Sequence, residues 1–264
     1  MNIEATNPQP TNTESAEAIV RTGWVTRMRQ RIFHRRVLMV IGLGIALALF
    51  VAWLTPQTRI ALAAGLFQNR TLLLLLVLFL LVSFSLLWSA GQNMDAWVFI
   101  FFNVRGKHPR WLDGAMWLLT QVGNMGVAGV AAAILYFFNF SRLAIEIVLG
   151  LLSLWLVVET VKAITDRARP FALLKDVRVI GWRAIGRSFP SGHTAQAFFM
   201  MSLFVHELPL IGWAAVALYL LAGLVGFTRM YVGAHYPRDV LAGALIGLVW
   251  AFFIMATGTY LYPG

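Results

Sequence analysis

The sequence predicts an all-α membrane protein, a polytopic transmembrane helical bundle of six or seven spans. Three observations predict it. Of the 264 residues, 59% are hydrophobic and only 12% charged, with a mean hydropathy of +0.75. A soluble domain of this size is about half apolar and a quarter charged. The apolar residues also fall into separate stretches, several of them near the roughly 20 residues that a bilayer crossing requires. Finally, neither an internal repeat nor a soluble domain interrupts the pattern.

Residues 1–36 are polar, rich in Asn, Thr and Glu, and then carry Arg27, Arg29, Arg31, Arg35 and Arg36. This stretch is too long and polar for a signal peptide. It reads as a disordered, basic cytoplasmic leader whose arginines hold the first span by the positive-inside rule. The membrane domain then covers residues 37–264. Its first apolar stretch, Val37–Leu54, stops before Pro56, and Thr71–Ala90 follows with the core "LLLLLVLFLLV". Residues 91–112 contain "DAWVFIFFNVRGKHPRW", whose aromatics suit an interfacial helix. Ala115–Phe138 is Gly/Ala-rich, which permits close helix contact. After the link "NFSR" comes Leu143–Ile164, and then a polar loop over 165–189. Three further apolar stretches, near 193–205, 210–227 and 239–258, are joined by "HELP" and "RMYVGAHYPR".

Composition also excludes function classes. The chain has no cysteine, so disulfides, thiolate metal sites and cysteine nucleophiles are out. The net charge of +10 fits membrane orientation and an anionic substrate. It does not fit nucleic acid, because no basic, aromatic-interleaved soluble surface remains to bind one.

Three polar clusters sit at the ends of spans. The first is "KAITDRARP", residues 162–170. Lys162 and Arg169 are seven residues apart, so two helical turns would place both cations on one face, with Pro170 stopping the helix. Taken alone, the pair is better read as cations that snorkel to the interface. The second is "SFPSGHT", residues 188–194, ahead of an apolar helix. Its free first-turn N–H groups can bind an anion, and Gly192 permits close approach to a phosphate. Ser191 as a plain N-cap with a solvated His193 is the competing reading. The third is "RMYVGAHYPRD", residues 229–239. If this stretch is helical, the spacing of four lets Asp239 orient the His235 imidazole and leave its other nitrogen free as nucleophile or base. Pro237 suits the first turn of the last span.

Together the clusters supply three cations, two histidines, a serine, a glycine turn and a carboxylate. Phosphoryl transfer needs those types: cations for the equatorial oxygens, one histidine to attack, another to protonate the leaving oxygen. A metal site does not suit them, since converging Lys and Arg side chains would repel a divalent cation.

The pattern Lys-x6-Arg-Pro, Pro-Ser-Gly-His and Arg-x5-His-x3-Asp resembles the signature of the type 2 phosphatidic acid phosphatase superfamily, with its lipid phosphatases and vanadium haloperoxidases. It runs over 162–239, and only Thr228, where the family usually has serine, departs from it. The resemblance implies that Lys162, Arg169 and Arg229 bind phosphate oxygens, with Ser191 and Gly192 adding donors. It implies further that His235 is the nucleophile forming a phosphohistidine and that Asp239 orients it. His193 is then the general acid that later activates water, and neither metal nor cofactor is required. Length and the motif "GAHYPRD" look like the broad-specificity bacterial phosphatidylglycerophosphate and undecaprenyl pyrophosphate phosphatases.

Other polar residues get plainer roles. Glu159 pairs with Lys162 one turn away. Asp166, Arg167 and Arg187 lie near the site, where they read as solvated loop charges in preference to head-group contacts. His206 lies on the opposite face, His34 and His108 are interfacial, and Gln121 and Asn124 bridge helices.

The three clusters must share one membrane face, and the two spans between the second and third satisfy this. If all seven stretches cross and the arginine-rich N-terminus is cytoplasmic, the site faces the cytoplasm. The resemblance implies instead a site facing the periplasm or exterior of a bacterial inner membrane, with "NFSR" cytoplasmic, and we adopt that orientation. The expected activity is hydrolysis of a lipid phosphate drawn from the bilayer: undecaprenyl pyrophosphate, phosphatidylglycerol phosphate or phosphatidic acid. A phosphotransferase passing phosphate to a second lipid such as lipid A carries the same motifs. A transporter or scaffold would place its charges at span midpoints, and the haloperoxidase relatives are soluble. Oligomeric state is not legible.

Overall fold

The computed structural model describes residues 69–261 continuously, together with scattered positions between 38 and 60. The leader over 1–36 lies outside the described residues, as does most of the stretch Val37–Leu54. The chain divides between Leu54 and Thr55 into two units, and the helices from Arg70 onward belong to the second.

Among the described residues that second unit is all-helical. Helix α1 (Arg70–Ser85) starts at Asn69, whose side chain accepts from the Leu72 N–H at 3.1 Å. It stops sooner than Ala90. Near its end the Ser83 and Ser85 hydroxyls donate to the carbonyls of Phe79 and Val82, a local bonding that tends to bend helices. Helix α2 (Ser89–Asn103) then turns through 95°. The expected interfacial piece is thus helical, but its buried stripe is Asp95, Phe99 and Asn103, so two of its three inward residues are polar.

Helix α3 (Arg110–Thr120), a 3₁₀ turn (Gln121–Gly123) and α4 (Met125–Phe137) replace the single span expected over Ala115–Phe138. The two limbs are bent by 58°. Asn124 makes the break: it leaves helical geometry and caps α4 by accepting from the Gly126 N–H at 2.8 Å. Gln121 and Asn124 therefore bond locally, Gln121 to the Trp117 carbonyl and Asn124 to Gln121, and do not bridge helices as expected.

Helix α5 (Ser141–Thr165) is followed by the short α6 (Pro170–Leu173), and then by α7 (Gly192–Glu207), α8 (Gly212–Tyr231) and α9 (Pro237–Leu261). Helix α7 is central, packing against α5, α8 and α9. Phe199 and Leu203 from α7 meet Ile147, Leu151 and Leu154 from α5 in the core. A Cβ on Gly150 would overlap the Phe199 ring, so only glycine admits that side chain. Gly243 and Gly247 likewise let α9 lie backbone to backbone on α7. The outward faces of α1, α4 and α5 expose large apolar residues such as Leu74, Phe137 and Leu149, as a bilayer requires.

Among the described residues, three helical stretches are long and apolar enough to cross a membrane: Ser141–Leu173, Gly212–Tyr231 and Pro237–Ala256. Counting each bent pair as one crossing gives up to five. The count expected from the sequence is higher because it also included Val37–Leu54, mostly outside the described residues, and the stretch near 193–205, whose helix α7 has only 16 residues.

Candidate active site

The C-terminal ends of α5 and α8 and the N-terminal ends of α7 and α9 meet at one end of the bundle, bringing the three polar clusters together. The link is direct, since the Ser191 N–H at the start of α7 donates to the Asp239 carbonyl in α9 at 2.9 Å. Ser191 precedes the first residue of α7, yet its hydroxyl caps no backbone donor and instead accepts from Thr194 Oγ1 at 2.9 Å. The first-turn N–H groups of α7 thus stay uncapped by it, and Gly192 leaves room beside them: a Cβ there would stand 3.8 Å from Lys162 Nζ.

Lys162 and Arg169 do not share a helix face. Helix α5 ends at Thr165, and Asp166 follows in the left-handed region (φ 52°). Arg169 is extended (φ −77°, ψ 157°) because the residue before a proline avoids helical geometry, and Pro170 opens α6. From there the buried Arg169 guanidinium spans several acceptors. Its Nε and Nη2 donate to the carbonyls of Gly186 and Ile185, each at 3.1 Å, and Nη1 donates to the Ala234 carbonyl at 3.0 Å. Nη1 also lies 3.2 Å from His235 Nε2. Lys162 is ion-paired at 2.7 Å to Glu159, as the spacing implied. Arg229, only 7% exposed, donates to Thr120 Oγ1 at 2.7 Å through Nη1, and its Nε has no protein partner.

His235 is not helical either. It sits on the turn after α8, where the Ala234 and His235 N–H groups both donate to the Arg229 carbonyl, at 3.0 and 3.2 Å. Gly233 makes that turn possible with a φ of +87°, and the Arg178 carbonyl fills the space a Cβ would need. Pro237 does open α9, which makes Asp239 its third residue. From there Asp239 Oδ2 reaches back to the Tyr236 N–H at 2.8 Å, half of a capping box. The same oxygen accepts from Ser188 Oγ at 2.5 Å, and Oδ1 accepts from Arg167 Nη1 at 2.5 Å. His235 Nδ1 stands 3.6 Å from Asp239 Oδ2, beyond hydrogen-bond length, and has no other partner. Burial, with the Arg169 and Arg229 charges adding to it and Asp239 opposing, lowers the His235 pKa to about 3. The imidazole is therefore neutral. Arg169 donating to Nε2 places the lone pair on that nitrogen and the proton on Nδ1, facing Asp239.

Arg167 corrects an expectation. It is not a solvated loop charge: its side chain is buried, with ion pairs to Asp239 and to Asp95 of α2. It also lies 4.4 Å over the Tyr236 ring. Asp95 carried no motif, and the only sequence signal for it was a carboxylate amid the apolar residues of α2. Asp166 and Arg187 do pair with each other at the surface.

Two cavities meet at His193. One, of about 490 Å³, is lined by Trp117, Thr120, Trp182, Arg183 and Arg229 as well as His193. The other, of about 290 Å³, lies between α4, α5 and α7, where Lys162, Glu159, Gly192 and Trp155 line it. The 3₁₀ break makes this possible. A Cβ on Gly123 would come 2.5 Å from the His193 carbonyl, so α7 can start only against glycine there. Three cations, first-turn N–H groups that Ser191 leaves uncapped and a buried imidazole are groups with which a protein can hold a tetrahedral oxyanion.

A family model described as PAP2 superfamily matches residues 143–262. The chain is 32% identical over 170 residues to the bacitracin transport permease protein BcrC of Bacillus licheniformis, covering 62% of this chain and 80% of that protein. It is 29% identical over 185 residues to an undecaprenyl-diphosphatase of Sulfolobus acidocaldarius, covering 69% and 87%. Among solved structures, a transmembrane PAP2 type phosphatidylglycerolphosphate phosphatase from Bacillus subtilis superposes with a TM-score of 0.61 at 23% identity, over 72% of this chain and 97% of that one.

Proposed function

The chain belongs to the PAP2 superfamily, and from that premise we propose that it is an integral membrane lipid phosphatase working through a phosphohistidine. The substrate is the phosphomonoester or pyrophosphate of a lipid such as undecaprenyl pyrophosphate, phosphatidylglycerol phosphate or phosphatidic acid. The observation that carries this is the His235 imidazole, buried and neutral, with its Nε2 lone pair 3.2 Å from Arg169 Nη1. Lys162, Arg169 and Arg229 hold the phosphate oxygens, with donors from Ser191 and Gly192. His235 Nε2 attacks phosphorus, the bond from phosphorus to the leaving oxygen breaks, and His193, carrying a proton once the anionic phosphate lies beside it, gives that oxygen its proton. In the second step neutral His193 takes a proton from water, whose oxygen attacks phosphorus. The phosphorus–nitrogen bond breaks and inorganic phosphate leaves. Asp239 orients His235 and balances the charge the ring gains.

Helix direction supports six crossings, α1, α4, α5, α7, α8 and α9, with α2 and α3 lying across the bundle at the site end. We place that end at the exterior face of a bacterial inner membrane. The absence of native cysteine makes a single Lys175→Cys probe clean. Labelling by an impermeant maleimide in intact cells supports the placement; labelling only after permeabilisation refutes it. The function itself is tested by phosphate release from a panel of phosphatidic acid, phosphatidylglycerol phosphate and farnesyl pyrophosphate. Wild type should release phosphate and folded His235→Ala should not. Equal release by both would refute the assigned nucleophile.

A further inference from the structure

Phosphoryl transfer through His235 leaves one buried arm of the site without a task. Behind Asp239, four charges are joined in a row. Arg167 and Arg238 side chains are each 8% exposed, and those of Asp95 and Asp239 are 0% exposed. Arg167 gives Nη1 to Asp239 Oδ1 at 2.5 Å and Nη2 to Asp95 Oδ2. Asp95 also receives the Arg238 Nε at 2.8 Å and the Arg238 N–H at 3.2 Å. Arg238 then ends on the Ser85 carbonyl and hydroxyl, at 2.5 and 3.1 Å. The row is formally neutral and ties α1, α2, the segment after α5 and the start of α9 into one frame. Burying it is expensive, and apolar residues of similar volume would stabilise the fold at least as well.

The consequence lies in how Asp239 is held. Its Oδ1 is committed to Arg167, and its Oδ2 to Ser188 Oγ and the Tyr236 N–H. Ser188 is itself placed by Arg167, whose carbonyl accepts the Ser188 N–H at 2.8 Å. Arg167 thus holds Oδ1 through its side chain and reaches Oδ2 only indirectly, through its backbone carbonyl and Ser188. His235 Nδ1, 3.6 Å from Oδ2, stands just beyond hydrogen-bond length from the carboxylate in this state. Only a ring that has gained positive charge gains enough from closing the remaining few tenths of an ångström.

The geometry points to Asp95 and Arg167 as positioning residues that hold Asp239 behind His235 and share its charge, so that the carboxylate engages the imidazole as phosphoryl transfer proceeds. Asp95 draws Arg167 away from full neutralisation of Asp239; without Asp95 the guanidinium pairs with Asp239 alone and the carboxylate supports the phosphorylated ring less well. The inference rests on His235 being the nucleophile of the proposed reaction. It assigns the arm to the chemical step and leaves phosphate binding to Lys162, Arg169 and Arg229.

The test uses the full chain purified in detergent, with the same panel of lipid phosphates. Asp95→Asn and Arg167→Lys keep shape or charge and should lower kcat about 10- to 100-fold while KM stays within about threefold. Arg167→Ala should lose more and recover part of its kcat in millimolar methylguanidinium, with saturation, which a merely structural role does not produce. If Arg167→Ala fails to fold, the two conservative variants decide alone. A folded Asp95→Asn or Arg167→Lys with wild-type kcat, or with a loss confined to KM, overturns the inference. The two failures separate cleanly: an inactive wild type, or an active His235→Ala, overturns the proposed reaction, whereas an active wild type with unaffected Asp95→Asn and Arg167→Lys overturns the arm alone.

Discussion

Asp239→Asn removes one charge and almost no volume from the centre of the site. The carboxylate accepts three hydrogen bonds within 2.8 Å, from Arg167 at Oδ1 and from Ser188 and the Tyr236 N–H at Oδ2. An amide has one accepting end. With its oxygen at the Oδ2 position it keeps Ser188 and Tyr236 but turns its NH2 against Arg167, donor facing donor. Reversed, it loses the other two partners. The first orientation costs less, and forfeits one charge-assisted bond worth about 1.5–3 kcal/mol. At about 2–4 °C per kcal/mol for a chain of this size, Tm should fall by about 3–12 °C. The catalytic loss should be larger, because the ring must become cationic beside a neutral amide. The same substitution behind a catalytic histidine costs about ten-thousand-fold in a serine protease. Here we expect a fall in kcat of about a thousand- to ten-thousand-fold, or about 4–5.5 kcal/mol at 1.36 kcal/mol per decade. Phosphate release by protein shown to be folded in detergent measures it. A folded Asp239→Asn enzyme with kcat within tenfold of wild type would refute the reasoning.

Helix packing and the protonation of His235 give two further expected outcomes. In Gly243→Ala the new methyl would lie 2.5 Å from the Ser191 carbonyl and 3.0 Å from Thr194 Cβ, so α9 must back away from α7. Overpacking of this kind costs about 1–3 kcal/mol. Thermal unfolding should show a lower Tm, while Gly129→Ala, which meets nothing within 4 Å, should leave it unchanged or slightly raised. Because the folded pKa of His235 is lowered to about 3, below its ordinary value of about 6.5, the imidazole stays neutral as pH falls from 7.5 to 5. The unfolded chain binds the extra proton in that window, so this group destabilises the fold progressively from about pH 6.5 downward. Nitrogen-15 spectra of the ring should therefore show no titration above pH 5, and a midpoint near 6.5 would contradict the burial argument.

The site was legible where short spacings carry it. Pro-Ser-Gly-His specifies a helix start and Pro237 another, and α7 and α9 begin within two residues of the expected positions, although His235 lies before α9 and not on it as its spacing to Asp239 assumed. Spacing misled where a helix broke early. Seven residues from Lys162 to Arg169 read as two helical turns, yet the chain leaves the helix at Asp166 because Pro170 already constrains Arg169. Arg167 reads as one more basic loop residue because its partners, Asp95 and Asp239, each lie 72 residues away, where no local pattern reaches. The bend after α1 and the 3₁₀ break at Gln121–Gly123 were hidden for a related reason. An apolar stretch shows that residues belong in a bilayer and says little of whether the helix through them is straight. The cue at the second break was Gly-Asn, a helix breaker beside an N-cap residue, and it is that break which lets His193 approach.

The central claim is that phosphate passes through His235 before it reaches water, and the stereochemical course at phosphorus tests it most directly. Hydrolysis of a lipid phosphorothioate made chiral by oxygen isotopes yields inorganic thiophosphate whose configuration can be read. Two in-line displacements, onto His235 Nε2 and then onto water, predict net retention. Net inversion would mean that water attacks the lipid phosphate directly, and would contradict the account.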